Sequence, residues 1–205
     1  MPVFFRDGVR VLYIHVPKTG GTAIEMFFEN NGFGTAYLDR GGNPGDLNPT
    51  RRCSPQHMDA ATLARVFRLA AFDHVFMTVR HPIDRILSEY RMRVFERRDL
   101  PDVNAWIRQT LRRYDDDPWM MDNHIRPQAE FWLPQADVFR QEDGFGADWI
   151  ERISGRIPCA FEQRATEVAM KFDVKAAERS DLDAASLDAL RRFYDADYRL
   201  FGYSA

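Results

Sequence analysis

The chain has 205 residues, of which 45% are hydrophobic, 13% aromatic and 29% charged. This composition excludes a disordered or low-complexity protein, and the length suits one domain, residues 1–205, with a full hydrophobic core. The net charge of −3 gives no overall attraction to nucleic acid or to acidic membranes. Any anion must therefore be bound by local basic groups, and we expect no nucleic-acid partner.

The cysteines and the apolar segments indicate the compartment. Cys53 and Cys159 are too few for a disulfide framework, and no Cys/His cluster has zinc-like spacing. Arg6, Asp7 and Arg10 interrupt the first apolar run, which argues against a secretory leader. No stretch approaches the ~18 apolar residues that a membrane span needs. We expect a soluble, cytoplasmic protein without stable membrane insertion, and the oligomeric state stays open.

The first part of the chain predicts a strand, a loop and a helix. Residues 9–16 form a β-rich apolar run with little alternation, which is typical of a strand buried on both faces. Pro17 ends the run, and apolar residues then recur at helical spacing over residues 22–30. Residues 39–56 are rich in Gly, Pro, Asn and Arg and predict a long loop. A short helix is expected after it, with inward-facing Leu63, Val66 and Phe67.

A second strand–loop–helix unit follows. HVFMTVR (74–80) predicts a strand, the following His-Pro ends it, and Pro82 suits the first turn of the next helix. Further helices are expected over 101–116, 145–153 and 182–194, and a loop over 117–127. Two buried strands that each feed a helix predict an α/β fold, P-loop-like and three-layered, with a central parallel sheet flanked by helices. Ligands of such folds bind beyond the carboxyl ends of the strands, where both loops lie.

The first loop, PKTGGT (17–22), contains groups that suit an anion. Gly20 and Gly21 allow the backbone to approach a phosphate, Thr19 and Thr22 carry hydroxyls, and Lys18 supplies a positive charge near a helix N-terminus. The nucleotide P-loop GxxxxGK[ST] places its lysine after the glycines, whereas here the lysine comes first. The mismatch disfavours a kinase or another NTPase.

The second loop and its helix, VRHPIDRILSEYR (79–91), predict a second anion pocket. Arg80 ends the strand and Ser88 lies two turns into the helix, so both can face one anion if the helix packs beside the strand end. The alternative is an ordinary ion pair of Arg80 with Asp84 or Glu89, with Ser88 merely exposed.

Together, PKTGGT and RHPIDRILSEYR resemble the two nucleotide-binding motifs of sulfotransferases that use 3′-phosphoadenosine-5′-phosphosulfate (PAPS). The likeness is greatest to the carbohydrate branch that includes the heparan sulfate 2-O-sulfotransferases. SPQHMDA (54–60), HIRPQAEFW (124–132) and FYDADYRLFGY (193–203) are similar to blocks of short bacterial members. The resemblance weakens over 158–180, where an expected Asn-containing segment is missing, so the adenine contacts are left open.

The resemblance implies a function and a set of roles. PAPS would be the donor, 3′,5′-bisphosphoadenosine (PAP) the product, and a hydroxyl of a carbohydrate or glycolipid the acceptor, with no metal. The first loop, Pro17 to Thr22, would hold the 5′-phosphosulfate, and Arg80 and Ser88 the 3′-phosphate. Lys18 would stabilise the bridging oxygen of the leaving group. The alternatives are a P-loop kinase-like phosphotransferase and a nucleotide-binding module that has lost catalysis.

Transfer to a hydroxyl requires a general base. His57 is favoured, because related carbohydrate enzymes carry a histidine assigned as the base at the matching place. Glu25, one turn into the first helix, is a rival, and His124 is a further candidate. His15 is expected to be a hydrogen-bonded core residue.

Four polar side chains are predicted to bind the acceptor: Arg51, Arg52, Arg126 and Gln128. The alternative for Arg51 and Arg52 is a solvated loop. The chain also has four tryptophans, which could stack on sugar rings, although core packing is the commoner role of this side chain. The identity of the acceptor does not follow from the sequence.

Overall fold

The computed structural model describes residues 1–39, 50–97, 99–161 and 177–204. In this part of the chain, five strands form one sheet, with helices around it. The strands are β1 (Val3–Arg6), β2 (Val9–Ile14), β3 (Gly34–Ala36), β4 (His74–Val79) and β5 (Asp137–Arg140). The α-helices are α1 (Gly21–Asn30), α2 (Ala60–Val66), α3 (Pro82–Glu96), α4 (Val103–Asp116), α5 (Ala147–Ser154), α6 (Ala184–Phe193) and α7 (Asp195–Phe201).

The sheet is mixed, so the prediction of a parallel sheet is wrong for one of its halves. The strand order is β3-β1-β2-β4-β5; β2, β4 and β5 run parallel, whereas β1 is antiparallel to both β2 and β3. The reason is the two-residue turn Asp7-Gly8, in which both residues have positive φ, 52° and 84°. A turn of this kind joins adjacent strands as a hairpin, which is antiparallel by construction.

The predicted strand–loop–helix units are confirmed. β2 is followed by α1, and β4 by α3 with Pro82 in its first turn. Along β2, Val11 and Tyr13 pack in the cluster on one face of the sheet and Leu12 and Ile14 in the cluster on the other, so the strand is buried on both sides. The predicted helix after residue 59 is also present, as α2.

Smaller expectations have mixed outcomes. In α2, Leu63 is buried and Phe67 packs against the core, but Val66 is 48% exposed, so its predicted inward orientation is wrong. Residues 40–49 of the predicted long loop lie outside the described residues. Cys53 and Cys159 are free thiols. Within the described ranges, no helix has both the length and the apolar character needed to cross a bilayer.

One buried arginine joins the segments at the carboxyl ends of the strands. Arg85 of α3 is 1% exposed, and it donates to the carbonyls of Pro17 (3.4 Å), His124 (2.9 Å) and Arg126 (2.6 Å). Its guanidinium also lies 5.6 Å from the ring centre of Tyr194 at the end of α6. The first loop, α3 and the block that follows residue 123 are therefore held by one side chain.

Replacing Arg85 with Met is expected to lower the free energy of unfolding by at least ~3 kcal/mol. The substitution leaves three buried carbonyls without their donor, at ~1–3 kcal/mol each. Arg85→Lys should recover only part of the loss, because an ammonium lacks the planar fork of donors. Urea unfolding gives the stability of both variants, and Arg112→Met, which replaces an exposed arginine of α4, is the control. Similar losses at positions 85 and 112 would contradict the role given to Arg85.

Candidate active site

The loop that joins β2 to α1 presents a helix N-terminus without a side-chain cap. Gly20 occupies the N-cap in the left-handed region, with φ 92°, and no side chain of the described residues caps α1. By contrast, α2, α4 and α6 are capped by Asp59, Asp102 and Asp183. The first amides of α1 therefore suit an external anion, as does the partial positive charge of the helix end.

Both glycines of the loop are required by the packing around them. A Cβ on Gly20 would lie 2.5 Å from the ring of Phe145, and a Cβ on Gly21 would lie 2.0 Å from Nε2 of His15. Lys18 also has a positive φ, 69°. Strained backbone of this kind is concentrated at functional sites in proteins.

The two threonines of the loop differ in their surroundings. Thr19 is fully buried; its hydroxyl donates to the carbonyl of Val16 (2.8 Å) and lies 2.7 Å from Oγ1 of Thr78. Tyr13 Oη lies 2.6 Å from the same Thr78 oxygen. Because each hydroxyl has one proton, donation runs from Tyr13 through Thr78 and Thr19 to Val16. The Thr19 hydroxyl thus anchors the loop to the sheet, while Thr22 is half-buried in the first turn of α1.

Lys18 is half-buried at the edge of the site. Its Nζ lies 3.2 Å from Sδ of Met92 on α3. Burial lowers the pKa of the Lys18 ammonium, and the carboxylate of Glu89 acts in the opposite direction. The position gives the lysine a charge partner on α3 and a less hydrated ammonium than on an open surface.

Arg80 lies beside the first loop. Its guanidinium Nη1 is 3.4 Å from the carbonyl oxygen of Lys18. The Gln128 side chain fixes the Arg80 backbone, because its Oε1 accepts from the Arg80 amide (2.9 Å) and its Nε2 donates to the Arg80 carbonyl (2.8 Å). Burial lowers the pKa of Arg80. Ser88 is half-buried on α3, two turns beyond Arg80.

The carboxylates considered as ordinary ion-pair partners of Arg80 have other partners. Asp84 accepts two hydrogen bonds from Arg179, both 2.7 Å long. Glu89 accepts from Arg93 (2.7 Å), and its second oxygen lies 2.7 Å from Nδ1 of His124. The arrangement favours Arg80 as an anion-binding group over a purely structural pair.

Three histidines form a row beside the first loop, and each one faces a carboxylate. The ring centres of His15 and His57 are 4.9 Å apart, as are those of His57 and His124, and both contacts are edge-to-face. Nδ1 lies 2.8 Å from Glu25 in His15, 2.7 Å from Asp122 in His57 and 2.7 Å from Glu89 in His124. We call these six residues the histidine row.

His57 is the central and most strongly perturbed member of the histidine row. It is 7% exposed, and burial, together with the two neighbouring histidines, lowers its pKa to about 3. Hydrogen bonds from His57 and Ser54 lower the pKa of Asp122 to about 2 despite burial. A neutral imidazole that donates Nδ1–H to an ionised aspartate keeps a lone pair on Nε2, as a general base requires.

The two other base candidates have different surroundings. Glu25 is 3% exposed in α1, with its carboxylate against His15. This position suits the orientation of a histidine better than contact with an acceptor. His124 is paired with Glu89, which is fully buried and whose pKa is lowered to about 2, chiefly by His124 against the effect of burial.

Two of the predicted acceptor-binding residues have structural partners instead. Gln128 is fully buried against the backbone of Arg80, as described above. Arg126 is 6% exposed; it donates to Asn123 and Glu130, lies 3.3 Å from Asp59, and its guanidinium covers the Trp119 ring. Neither side chain is placed to contact an acceptor.

The other two predicted acceptor residues lie at the surface. Arg51 is exposed, 3.7 Å from a carboxylate oxygen of Asp39, and Arg52 is exposed, 5.9 Å from the ring centre of Trp119. Both stay candidates for an anionic acceptor. Among the tryptophans, Trp106 and Trp149 belong to the core.

Sequence reasoning missed Asp122, Glu89 as a histidine partner, and Arg85. Asp122 lies in a run of three non-glycine residues with positive φ, from Met121 to Asn123. Asn123 fixes this run by donating to the carbonyl of His57 (2.8 Å). The proximity of residues 57 and 122 depends on tertiary packing, and the sequence pattern contains no signal for it.

Comparisons with known proteins add one finding. The model of a family described as the sulfotransferase family matches residues 2–140, more than half of the 205-residue chain. No curated protein and no solved structure matches the chain. The matched range contains both predicted anion-binding loops and the whole histidine row.

Gly21→Ala is expected to destabilise the protein by ~1–3 kcal/mol, because the added Cβ must displace the His15 ring. The loss outweighs the ~0.5–1 kcal/mol that alanine gains over glycine in a helix. Urea unfolding should show the loss by comparison with Gly155→Ala, where an added Cβ would lie 3.5 Å from the carbonyl oxygen of Glu151 and φ is −68°. Equal stabilities of the two variants would contradict the close contact.

The stability of the fold should depend on pH through His57. The pKa of His57 is about 3 in the folded chain against 6.5 for the free side chain, so between these values the unfolded chain binds a proton that the folded chain does not. The free energy of unfolding should therefore fall as the pH falls below 6.5, by up to ~1.4 kcal/mol per pH unit for this group. Denaturant unfolding from pH 7.5 to pH 4.5 should show a larger loss in wild type than in His57→Gln. Parallel losses would exclude a depressed pKa.

Proposed function

The chain belongs to the sulfotransferase family, and we propose that it transfers a sulfuryl group from PAPS to a hydroxyl of a carbohydrate or glycolipid. The observation that carries the proposal is the contact between the two anion-binding loops. Arg80 Nη1 lies 3.4 Å from the carbonyl of Lys18, so the groups assigned to the two ends of the nucleotide meet at one edge of the sheet.

The residues present fit a nucleotide with two phosphate groups. The uncapped N-terminus of α1, the glycines and Lys18 suit the 5′-phosphosulfate, in the manner of a phosphate-binding loop. Arg80 and Ser88 suit the 3′-phosphate, and the buried Gln128 keeps Arg80 in place. The Thr19 side chain is assigned to anchoring the loop.

When bound, PAPS supplies the sulfuryl group, which passes to the acceptor oxygen as the bond to the bridging phosphate oxygen breaks. The protein positions the two reactants and stabilises the charge that develops. Lys18, with its partly dehydrated ammonium, is suited to the bridging oxygen. His57 is suited to take the acceptor proton on Nε2.

His57 is the preferred base because of its partner. Asp122 accepts Nδ1–H of His57, which fixes the tautomer and would stabilise the imidazolium after proton transfer. Glu25 and His124 are not chosen as the base, because each is already paired: Glu25 with His15, and His124 with Glu89. A metal ion has no step in this scheme.

Several finer assignments stay predictions. They are the heparan sulfate 2-O-sulfotransferase-like branch, the carbohydrate or glycolipid acceptor, a role for Arg51 and Arg52 in binding it, the single domain 1–205 and the cytoplasmic location. The adenine contacts are also left open, because most of the segment 158–180 lies outside the described residues, which omit 162–176.

PAP is expected to bind more tightly than AMP in calorimetric titrations without metal. Arg80→Ala should weaken PAP binding by ~1.5–3 kcal/mol, the contribution of a charged hydrogen bond, and should leave AMP binding unchanged. Arg112→Ala, on the exposed face of α4, is the matched control.

Three results would redirect the proposal. Equal affinity for PAP and AMP would remove the 3′-phosphate pocket. Magnesium-dependent consumption of ATP would favour the kinase-like phosphotransferase. Tight PAP binding with no transfer to any hydroxyl would favour the nucleotide-binding module.

His57→Ala is expected to lower kcat by ~10²–10⁴ while PAP affinity is kept, because the acceptor proton loses its base. Asp122→Asn should also lower kcat, because the amide would no longer hold His57 in the tautomer that leaves a lone pair on Nε2. Release of PAP from PAPS, measured with an acceptor that supports turnover, provides the rate. A near-normal kcat of His57→Ala would move the base to Glu25 or His124.

A further inference from the structure

The histidine row contains more imidazole groups than one proton transfer needs. One potential ligand atom from each of His57, Asp122 and His124 lies within 4.8 Å of the others. Two imidazoles and one carboxylate are a donor set that binds divalent transition metals such as Zn²⁺. Zinc holds nitrogen and oxygen ligands at about 2.0–2.2 Å, so only a small closure of these side chains is needed.

The carboxylate beside each histidine decides which ring nitrogen can bind the ion. The Nδ1 of His57 faces Asp122 and the Nδ1 of His124 faces Glu89, each at 2.7 Å. A metal-binding histidine commonly donates its other ring N–H to a carboxylate, which fixes the ring and makes the coordinating nitrogen more basic. For His124 the coordinating nitrogen is therefore Nε2, whereas His57 offers Nδ1, the nitrogen that lies beside the second ligand, Asp122.

The electrostatic surroundings favour a divalent cation. The carboxylates of Glu25, Asp122 and Glu89 each lie against one ring of the row, and Glu25 and Glu89 are buried. Arg93 pairs with Glu89, and the Lys18 ammonium acts on the same carboxylate. Asp122 is the partly exposed member, with 35% of its side chain accessible.

We propose that His57, Asp122 and His124 form a binding site for one divalent transition-metal ion of the zinc class, and that Glu89 orients His124 within it. The binding depends on the donor geometry alone. Its consequence rests on the proposed function: an ion on Nδ1 of His57 takes the place of the Nδ1 proton, so the ring proton lies on Nε2 and leaves no lone pair there for the acceptor proton. The ion is therefore an inhibitor of transfer, and has no role as a cofactor.

Calorimetric titration of the whole chain with ZnCl₂ tests the site. Wild type and His74→Ala should each bind one ion with equal affinity, since His74 begins β4 next to Asp137, outside the histidine row. His124→Ala should lose the binding, and Glu89→Gln should weaken it ~10–100-fold as the partner of a ligand. Circular dichroism establishes whether each variant is folded. If His124→Ala does not fold, the weaker binding expected of Glu89→Gln still tests the site.

Cys53 is the main competitor for the ion, because thiolates bind zinc well and this side chain lies within electrostatic range of Asp122. Cys53→Ser should therefore retain the binding. Co²⁺ in the same site should lack the near-ultraviolet absorption of a cobalt–thiolate bond. Loss of binding in Cys53→Ser, unchanged binding in His124→Ala, or no binding by wild type would each overturn the site.

Inhibition by the bound ion is tested by a separate measurement, the rate of sulfuryl transfer. Zn²⁺ should slow PAP release from PAPS in proportion to occupancy of the site, and a chelator should restore the rate. Full activity at saturating Zn²⁺ would overturn the inhibition. Zn²⁺ binding in a protein that transfers no sulfuryl group would support the metal site and contradict the proposed function, so the two failures are distinguishable.

Discussion

The structure depends on the burial of one positive charge, the guanidinium of Arg85. Taking a charge out of water costs several kcal/mol unless its hydrogen-bonding groups are satisfied, and here backbone carbonyls from two separate segments accept them. Asp197 of α7 is a nearby buried carboxylate that adds favourable charge. Because the bonds go to backbone, they fix where the first loop and the block after residue 123 lie, and those are the segments that carry the candidate site.

The same solution to charge burial recurs in the site itself. Glu89 and Asp122 each form a hydrogen bond with a histidine, Glu25 lies against His15, and Gln128 satisfies the backbone at the end of β4. Such pairs add little net stability, because desolvation offsets most of the attraction, but removing one partner is costly. Their effect is orientation: the rings in the row, the loop and Arg80 are held before any ligand arrives. Preorganisation of this kind is what a transfer reaction without covalent catalysis requires of a protein.

The structural features that the sequence predicts are those that depend on residues close together along the chain. Pro17, Pro82 and the helical stripes after them delimit the two strand–loop–helix units, and the glycines mark the loop. The Asp7-Gly8 turn between two β-rich runs is a local hairpin signal of the same kind. Asp122 is different, because its pairing with His57 spans 65 residues and depends on a left-handed backbone run without glycine. The burial of Arg126 and Gln128 likewise follows from tertiary packing, so a polar pattern alone suggested ligand contacts for them.

The proposed mechanism requires one nucleotide to bridge the two loops, and a crystal structure of the protein with PAP would show whether it does. We expect the 5′-phosphate at the N-terminus of α1 beside Lys18 and the 3′-phosphate beside Arg80 and Ser88, with His57 Nε2 facing the 5′ end from the acceptor side. A 3′-phosphate bound away from Arg80, or a nucleotide bound outside the edge formed by β2 and β4, would contradict the proposed mechanism.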